Sequence, residues 1–128
     1  VGLIAFCNKT LNGAKQKITE LTEIPDQTFM GCKKLEMVDI PSSVIHIGNK
    51  AFEECRLLKS VNLESCESIG ERAFYYCNAL QEVKFSKSLK TVGQYAFYYC
   101  AELDIEEISV STRINKYAFA QIKGILFI

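Results

Sequence analysis

Apolar positions along this chain recur in a fixed order. Between residues 35 and 52 they fall at Leu35, Val38, Ile40, Val44, Ile47, Ala51 and Phe52. The Leu-x-x-Val-x-Ile piece ends in period-2 alternation. That predicts a short strand with Val38 and Ile40 on one side and Asp39 on the other. The Val-x-x-Ile piece predicts a second short extended segment. Ala-Phe-x-x-Cys, closing at Cys55, is more helical in composition and predicts one helical turn. The same order returns at Leu58, Val61, Leu63, Ile69, Gly70, Ala73, Phe74 and Cys77. It returns again at Leu80, Val83, Phe85, Leu89, Val92, Gly93, Ala96, Phe97 and Cys100.

Phe marks the register. It stands at 6, 29, 52, 74, 97 and 119, in steps of 23, 23, 22, 23 and 22 residues. A fixed period of this size signals a repeat architecture. No single repeat can bury its apolar edge alone, whereas stacked repeats bury continuous columns of like residues. The predicted columns are Leu35, Leu58, Leu80; Val38, Val61, Val83; Ile40, Leu63, Phe85; Ile47, Ile69, Val92, Ile114; and Phe29, Phe52, Phe74, Phe97, Phe119. Four residues before each Phe stands Gly2, Pro25, Gly48, Gly70, Gly93 or Asn115. Gly and Asn both tolerate a positive φ, but Pro25 cannot adopt one. Either the repeat holding Pro25 bends differently or the glycines allow close backbone approach.

The segment LEMVDIPSSVIHIGNKAFEEC, residues 35–55, resembles the BspA-like, or treponemal-class, leucine-rich repeat almost position for position. The resemblance covers roughly residues 18–122, and the hexapeptide Val1–Phe6 extends it to the start. It implies one leucine-rich-repeat domain over residues 1–128, with about five repeats of 22–23 residues and irregular ends. The implied fold is a right-handed solenoid, mainly short parallel β-strands with short helical turns. The ordinary leucine-rich repeat places Asn or Cys three residues after the strand's last apolar residue. Here that count falls on Ser43, Cys66, Ser88 and Arg113, so the usual asparagine ladder is absent. After Cys100 the register slips, and Leu103, Ile105, Ile108 and Val110 align in two ways. The closing Ile125–Ile128 reads either as a capping strand or as an exposed edge.

Fifteen basic and fifteen acidic residues cancel, which makes nucleic acid a poor partner. No apolar run is long enough to span a bilayer, and no basic-then-apolar leader is present. A chain opening at Val inside a repeat reads as a processed protein or a fragment of a longer array.

Chemistry is sparse. Of six cysteines, Cys32, Cys55, Cys77 and Cys100 share one repeat position. Stacked repeats hold equivalent residues about 5 Å apart with parallel side chains, whereas a disulfide wants Cβ atoms near 3.8 Å. The four read best as a buried thiol ladder, with Cys7 and Cys66 off it as candidates for a disulfide. No cysteine pair has zinc-site spacing, so no metal and no cofactor is expected. The single histidine, His46, points outward between Ile45 and Ile47, with no Ser, Cys or Asp phased to make a triad. The chain is therefore read as non-catalytic.

Two surfaces compete as a binding site for a protein partner. The first is the outward row of the predicted strands: Met37, Asp39, Ser60, Asn62, Glu64, Glu82, Lys84, Ser86, Glu107, Ser109 and Ser111, with Met37, Asp39, Ser60, Asn62, Glu82, Lys84, Glu107 and Ser109 as the candidate contacts. Solenoids present such rows across many repeats at once. The second is an aromatic ridge of Tyr75, Tyr76, Tyr95, Tyr98, Tyr99 and Tyr117. Adjacent tyrosines cannot both face inward, and exposed tyrosines are enriched at interfaces. Solvated polar positions and rings lying flat over the core are the plainer readings. The resemblance implies a protein-binding module of a cell-surface or secreted protein acting in adhesion. The competing reading is an intracellular scaffold repeat, where reduced thiols are natural.

Overall fold

The structure, a computed structural model, describes residues 15–17 and 22–128. The first copy of the repeated phrase, Val1–Phe6, and Cys7 lie outside the described residues. The long strands are β1 (Lys15–Lys17), β3 (Met37–Asp39), β5 (Ser60–Leu63) and β7 (Glu82–Phe85), which form one parallel sheet in the order β1-β3-β5-β7. The second extended segments are two residues each: β2 (Glu23–Ile24), β4 (His46–Ile47), β6 (Ser68–Ile69), β8 (Thr91–Val92) and β10 (Arg113–Ile114). They form a second parallel sheet in repeat order. Strands β9 (Asp104–Ile108) and β11 (Gly124–Phe127) pair separately, also in parallel.

The result is a solenoid of stacked turns with its core between the two sheets. The register follows the repeat, pairing Val61 with Val83, Leu63 with Phe85, and Ile47 with Ile69. Phe29, Phe52, Phe74 and Phe97 are fully buried and stack at ring separations of 5.1, 5.0 and 4.9 Å. Ile40, Phe85, Ile114 and Phe119 are only half-buried against this core. Leu103, Ile105 and Ile108 are buried, while Val110 is 71% exposed, which settles the register of the last repeat.

The Ala-Phe-x-x-Cys segments form no helix. They are chains of tight turns in which two residues per repeat have positive φ: Lys50 and Glu54, Arg72 and Tyr76, Tyr95 and Tyr99. A left-handed residue at every fourth position stops an α-helix from propagating. It also turns backbone donors toward the neighbour. Lys50, Phe52 and Glu54 donate their N–H groups to the carbonyls of Glu71, Ala73 and Tyr75 at 2.9, 2.7 and 2.7 Å. The same triplet of bonds links every successive pair of turns from Gln27 to Ala120.

The Gly column serves close approach. A Cβ on Gly70 would lie 2.7 Å from the Asn49 nitrogen and the Gly48 carbonyl carbon, and Gly48 and Gly93 are as tight. Where Asn115 replaces Gly, the flanking inter-turn bonds lengthen. Asn115 N–H to Val92 is 3.0 Å against 2.8 Å for Gly93, and Tyr95 N–H to Lys116 is 3.2 Å against 2.9 Å for Arg72.

Two cysteine expectations are corrected. Cys66 does not share a position with Ser43 and Ser88, which are exposed; it is buried in a column with Val44 and Leu89. The repeat that ends at Phe74 is one residue shorter, so counting forward from the strand slips by one. The ladder of free thiols comprises Cys55, Cys77 and Cys100, because Cys32 is disulfide-bonded.

Candidate functional site

The long-strand sheet carries the first predicted row. Met37, Ser60 and Glu82 stand side by side in register, as do Asn62 and Lys84. Asp39 continues the second line two residues beyond Met37. Their side chains point away from the core because Val38, Val61 and Val83 between them point in. Met37 is 46% exposed. Glu107 is exposed on β9 and Ser109 follows it, half-buried. Two members of the row also hold turns: the Asn62 side chain accepts the Glu64 N–H at 3.0 Å, and Ser109 accepts the Ser111 N–H at 3.2 Å. Such local bonds fix where the strand ends.

Among the described residues, clefts open along this sheet. Ser60, Val61, Asn62, Glu82 and Lys84 line one of about 190 Å³; Ile40, Ser42, Asn62, Glu64 and Ser65 line one of about 200 Å³. Two larger ones lie between β7 and β9, at about 240 and 310 Å³. Glu64, an outward residue of the predicted row, lines two of these hollows. Glu106, absent from that row, lines one of them. It was missed because the slipped register after Cys100 hid which residues of the next strand face outward.

The tyrosine ridge is real as an arrangement. Tyr75 stacks on Tyr98 at 5.5 Å, Tyr76 on Tyr99 at 5.0 Å, and Tyr95 on Tyr117 at 5.3 Å. Tyr99 and Tyr117 are exposed and the other four half-buried. Stacking along the solenoid axis uses up most ring faces. Arg72 covers the remaining face of Tyr75 at 4.1 Å and pairs with the buried Glu53 at 2.8 Å; Arg56 and Lys116 approach Tyr76 and Tyr117. Desolvation among the packed rings, then the neighbouring Tyr75, Tyr98 and Tyr99, pushes the Tyr76 phenol above its usual range. The ridge therefore presents edges and hydroxyls, not open faces.

His46 does have a phased serine. Its Nδ1 lies 2.5 Å from Ser68 Oγ, the equivalent position one turn later, and Glu23 is in register on its other side. The pairing follows from a 22-residue offset that was legible in the sequence. This row lies on the exposed face of the two-residue strands, and none of these clefts includes it. Among the described residues, no group of three or more His, Cys, Asp or Glu is placed to hold a metal, and no helix is long and apolar enough to cross a membrane.

A sequence profile of the BspA type leucine rich repeat region matches residues 1–125 in six copies. The chain belongs to the BspA-type leucine-rich repeat family. A solved leucine-rich repeat protein of T. pallidum superposes with a TM-score of 0.77 and 28% identity, over 89% of this chain and 58% of its own. One from Bacteroides ovatus gives 0.77 and 28%, over 92% and 34%. One from Bacteroides capillosus gives 0.59 and 31%, over 70% and 75%. This BspA-type chain thus spans 58% and 34% of the first two proteins' lengths. No curated protein matches it.

Proposed function

We propose that this BspA-type module is a non-catalytic protein-binding surface, acting in adhesion or host-protein contact at a cell surface or after secretion. The observation that carries the reading is the alignment of Met37, Ser60 and Glu82, and of Asn62 and Lys84, across successive repeats of the long-strand sheet, with clefts opening beside them. Aligned rows let one rigid face engage a partner at several points. The disulfide at Cys32 supports an oxidising compartment over an intracellular scaffold.

Capture from a mixture of host-surface and matrix proteins tests this. Three proteins are compared: the wild type, Asn62→Arg with Lys84→Glu, and Tyr75→Ala with Tyr98→Ala. Loss of the captured protein with the strand-face pair alone is the expected result. Loss with the tyrosine pair alone would move the site to the ridge. A folded wild type that captures nothing would leave the module a spacer.

A further inference from the structure

The long-strand sheet is interrupted at one place. β5 and β7 pair along their whole length, but β9 shares no ladder with β7 and pairs with β11 instead. The two strands touch where they begin, with the Asp104 N–H 3.4 Å from the Gln81 carbonyl. Beyond that point two hollows open between them. The first, about 240 Å³, is lined by Glu64, Glu82, Glu106 and Glu107 over Val83 and Phe85, with Lys84 as its one cation. The second, about 310 Å³, shares Phe85 and Glu107, is walled by Ile108 and Ile128, and carries Lys87 with Ser86 and Ser109 at its rim. Together they make one groove, acidic at one end and apolar at the other.

Its four carboxylates outnumber its two cations, Lys84 and Lys87. Some glutamates elsewhere on the surface pair with cations: Glu54 with Arg56 at 3.0 Å, Glu36 with Lys59 at 3.4 Å, Glu67 with Lys90 at 3.1 Å. None of the four groove carboxylates is in an ion pair among the described residues. Four like charges around one hollow are mutually repulsive, and a cationic guest relieves that repulsion. The floor is firm: Phe85 packs edge-on against Phe97 at 5.7 Å and Phe119 at 6.3 Å.

We infer that the groove between β7 and β9 binds an extended peptide segment of a partner protein, placing a Lys or Arg among Glu64, Glu82, Glu106 and Glu107 and a large apolar side chain against Phe85 and Ile108. In an extended chain residues i and i+2 point the same way. A basic and an apolar residue two apart therefore enter the two hollows together. This rests on the reading of the long-strand sheet as the binding face and adds the chemistry of the guest.

The test uses fluorescein-labelled peptides and fluorescence polarisation with the full chain. The probe is Lys-Thr-Phe-Thr-Lys; the comparisons are Glu-Thr-Phe-Thr-Glu and Lys-Thr-Ser-Thr-Lys. The first should bind, more weakly as salt rises, and both comparisons should bind about tenfold or more weaker. Glu82→Lys with Glu106→Lys, both exposed and checked for an unchanged melting curve, should abolish the preference for Lys over Glu. Equal binding of all three peptides, no binding, or an unchanged preference in that variant overturns the inference. In any of those cases, partner capture that still depends on Asn62 and Lys84 would leave the long-strand sheet as the binding face; capture independent of them would remove that face as well.

Discussion

Cys77 donates its S–H to the carbonyl of Phe52, 3.1 Å away and one turn earlier in the stack. That carbonyl already accepts the Cys55 N–H at 3.1 Å. Cys55 and Cys100 repeat the arrangement on Phe29 and Phe74, each at 3.1 Å. A small buried thiol gives each carbonyl a second donor without a cavity or an unmet hydroxyl. Cysteine at this repeat position is thus a packing and hydrogen-bonding choice. Iodoacetamide should leave Cys55, Cys66, Cys77 and Cys100 unlabelled in the native protein and label all four once it is unfolded. Cys32 should label only after reduction. Mass spectrometry of the labelled peptides decides it, and native labelling of Cys77 would contradict the buried ladder.

Burial pushes the Cys55 and Cys66 thiols up to about 12 from an ordinary 9.0. The unfolded chain loses these protons first, so protons are released on unfolding between those values. Stability is therefore fully present below about pH 9 and falls as pH rises toward 12, by at most about 1.4 kcal/mol per unit for each thiol. Urea midpoints across that range should drop for the wild type and drop less steeply for Cys66→Ala. Identical slopes would show that Cys66 is not the group responsible.

Gly70→Ala should cost about 1–3 kcal/mol, because its Cβ meets backbone atoms of the preceding turn that have nowhere to move. Gly31→Ala tests a different cause: nothing lies within 4 Å of the added Cβ, but φ is +74°. Its cost should be only the conformational one, about 1 kcal/mol. Chemical denaturation that finds the two equal would remove the distinction between crowding and backbone strain.

Lys50 holds a φ of 59° with its N–H bonded to Glu71. Lys50→Gly should stabilise by about 0.5–1 kcal/mol, since relief of the left-handed strain exceeds the entropy lost. Lys50→Val should destabilise, because a β-branched residue resists that φ. Opposite shifts in melting temperature are the expected signature.

Phe74→Ala should cost about 3–5 kcal/mol, because its ring is enclosed between Phe52 and Phe97. Phe119→Ala should cost less, since that ring is half-buried and stacks on Phe97 alone among the column. Equal losses in calorimetry would contradict the gradient of burial along the column.

The columns were legible because a 22–23-residue period repeats Val61 over Val83 and Phe52 over Phe74 without interruption. The turns were not. Left-handed backbone is ordinarily announced by Gly or Asn, and here Lys50, Arg72, Tyr76 and Tyr99 occupy it. Only the inter-turn hydrogen bonds reveal why they are held there. The Gly column left two readings open, positive φ or close approach, because its glycines answer a steric demand from the neighbouring turn that no single repeat contains. His46 beside Ser68 follows from a regular 22-residue step, whereas the break between β7 and β9 was hidden by the uneven spacing after Cys100. A slip of one residue moves a side chain to the opposite face.

The turn segments give the solenoid a sense of direction. Each offers three N–H donors to the turn that follows and three carbonyls to the turn before, as Lys50, Phe52 and Glu54 do toward Glu71, Ala73 and Tyr75. One end of such a stack is a comb of donors and the other a comb of acceptors. Two stacks can therefore join this corner only head to tail, never head to head. Interior turns are interchangeable parts, whereas a turn inserted in reverse would face like groups against like.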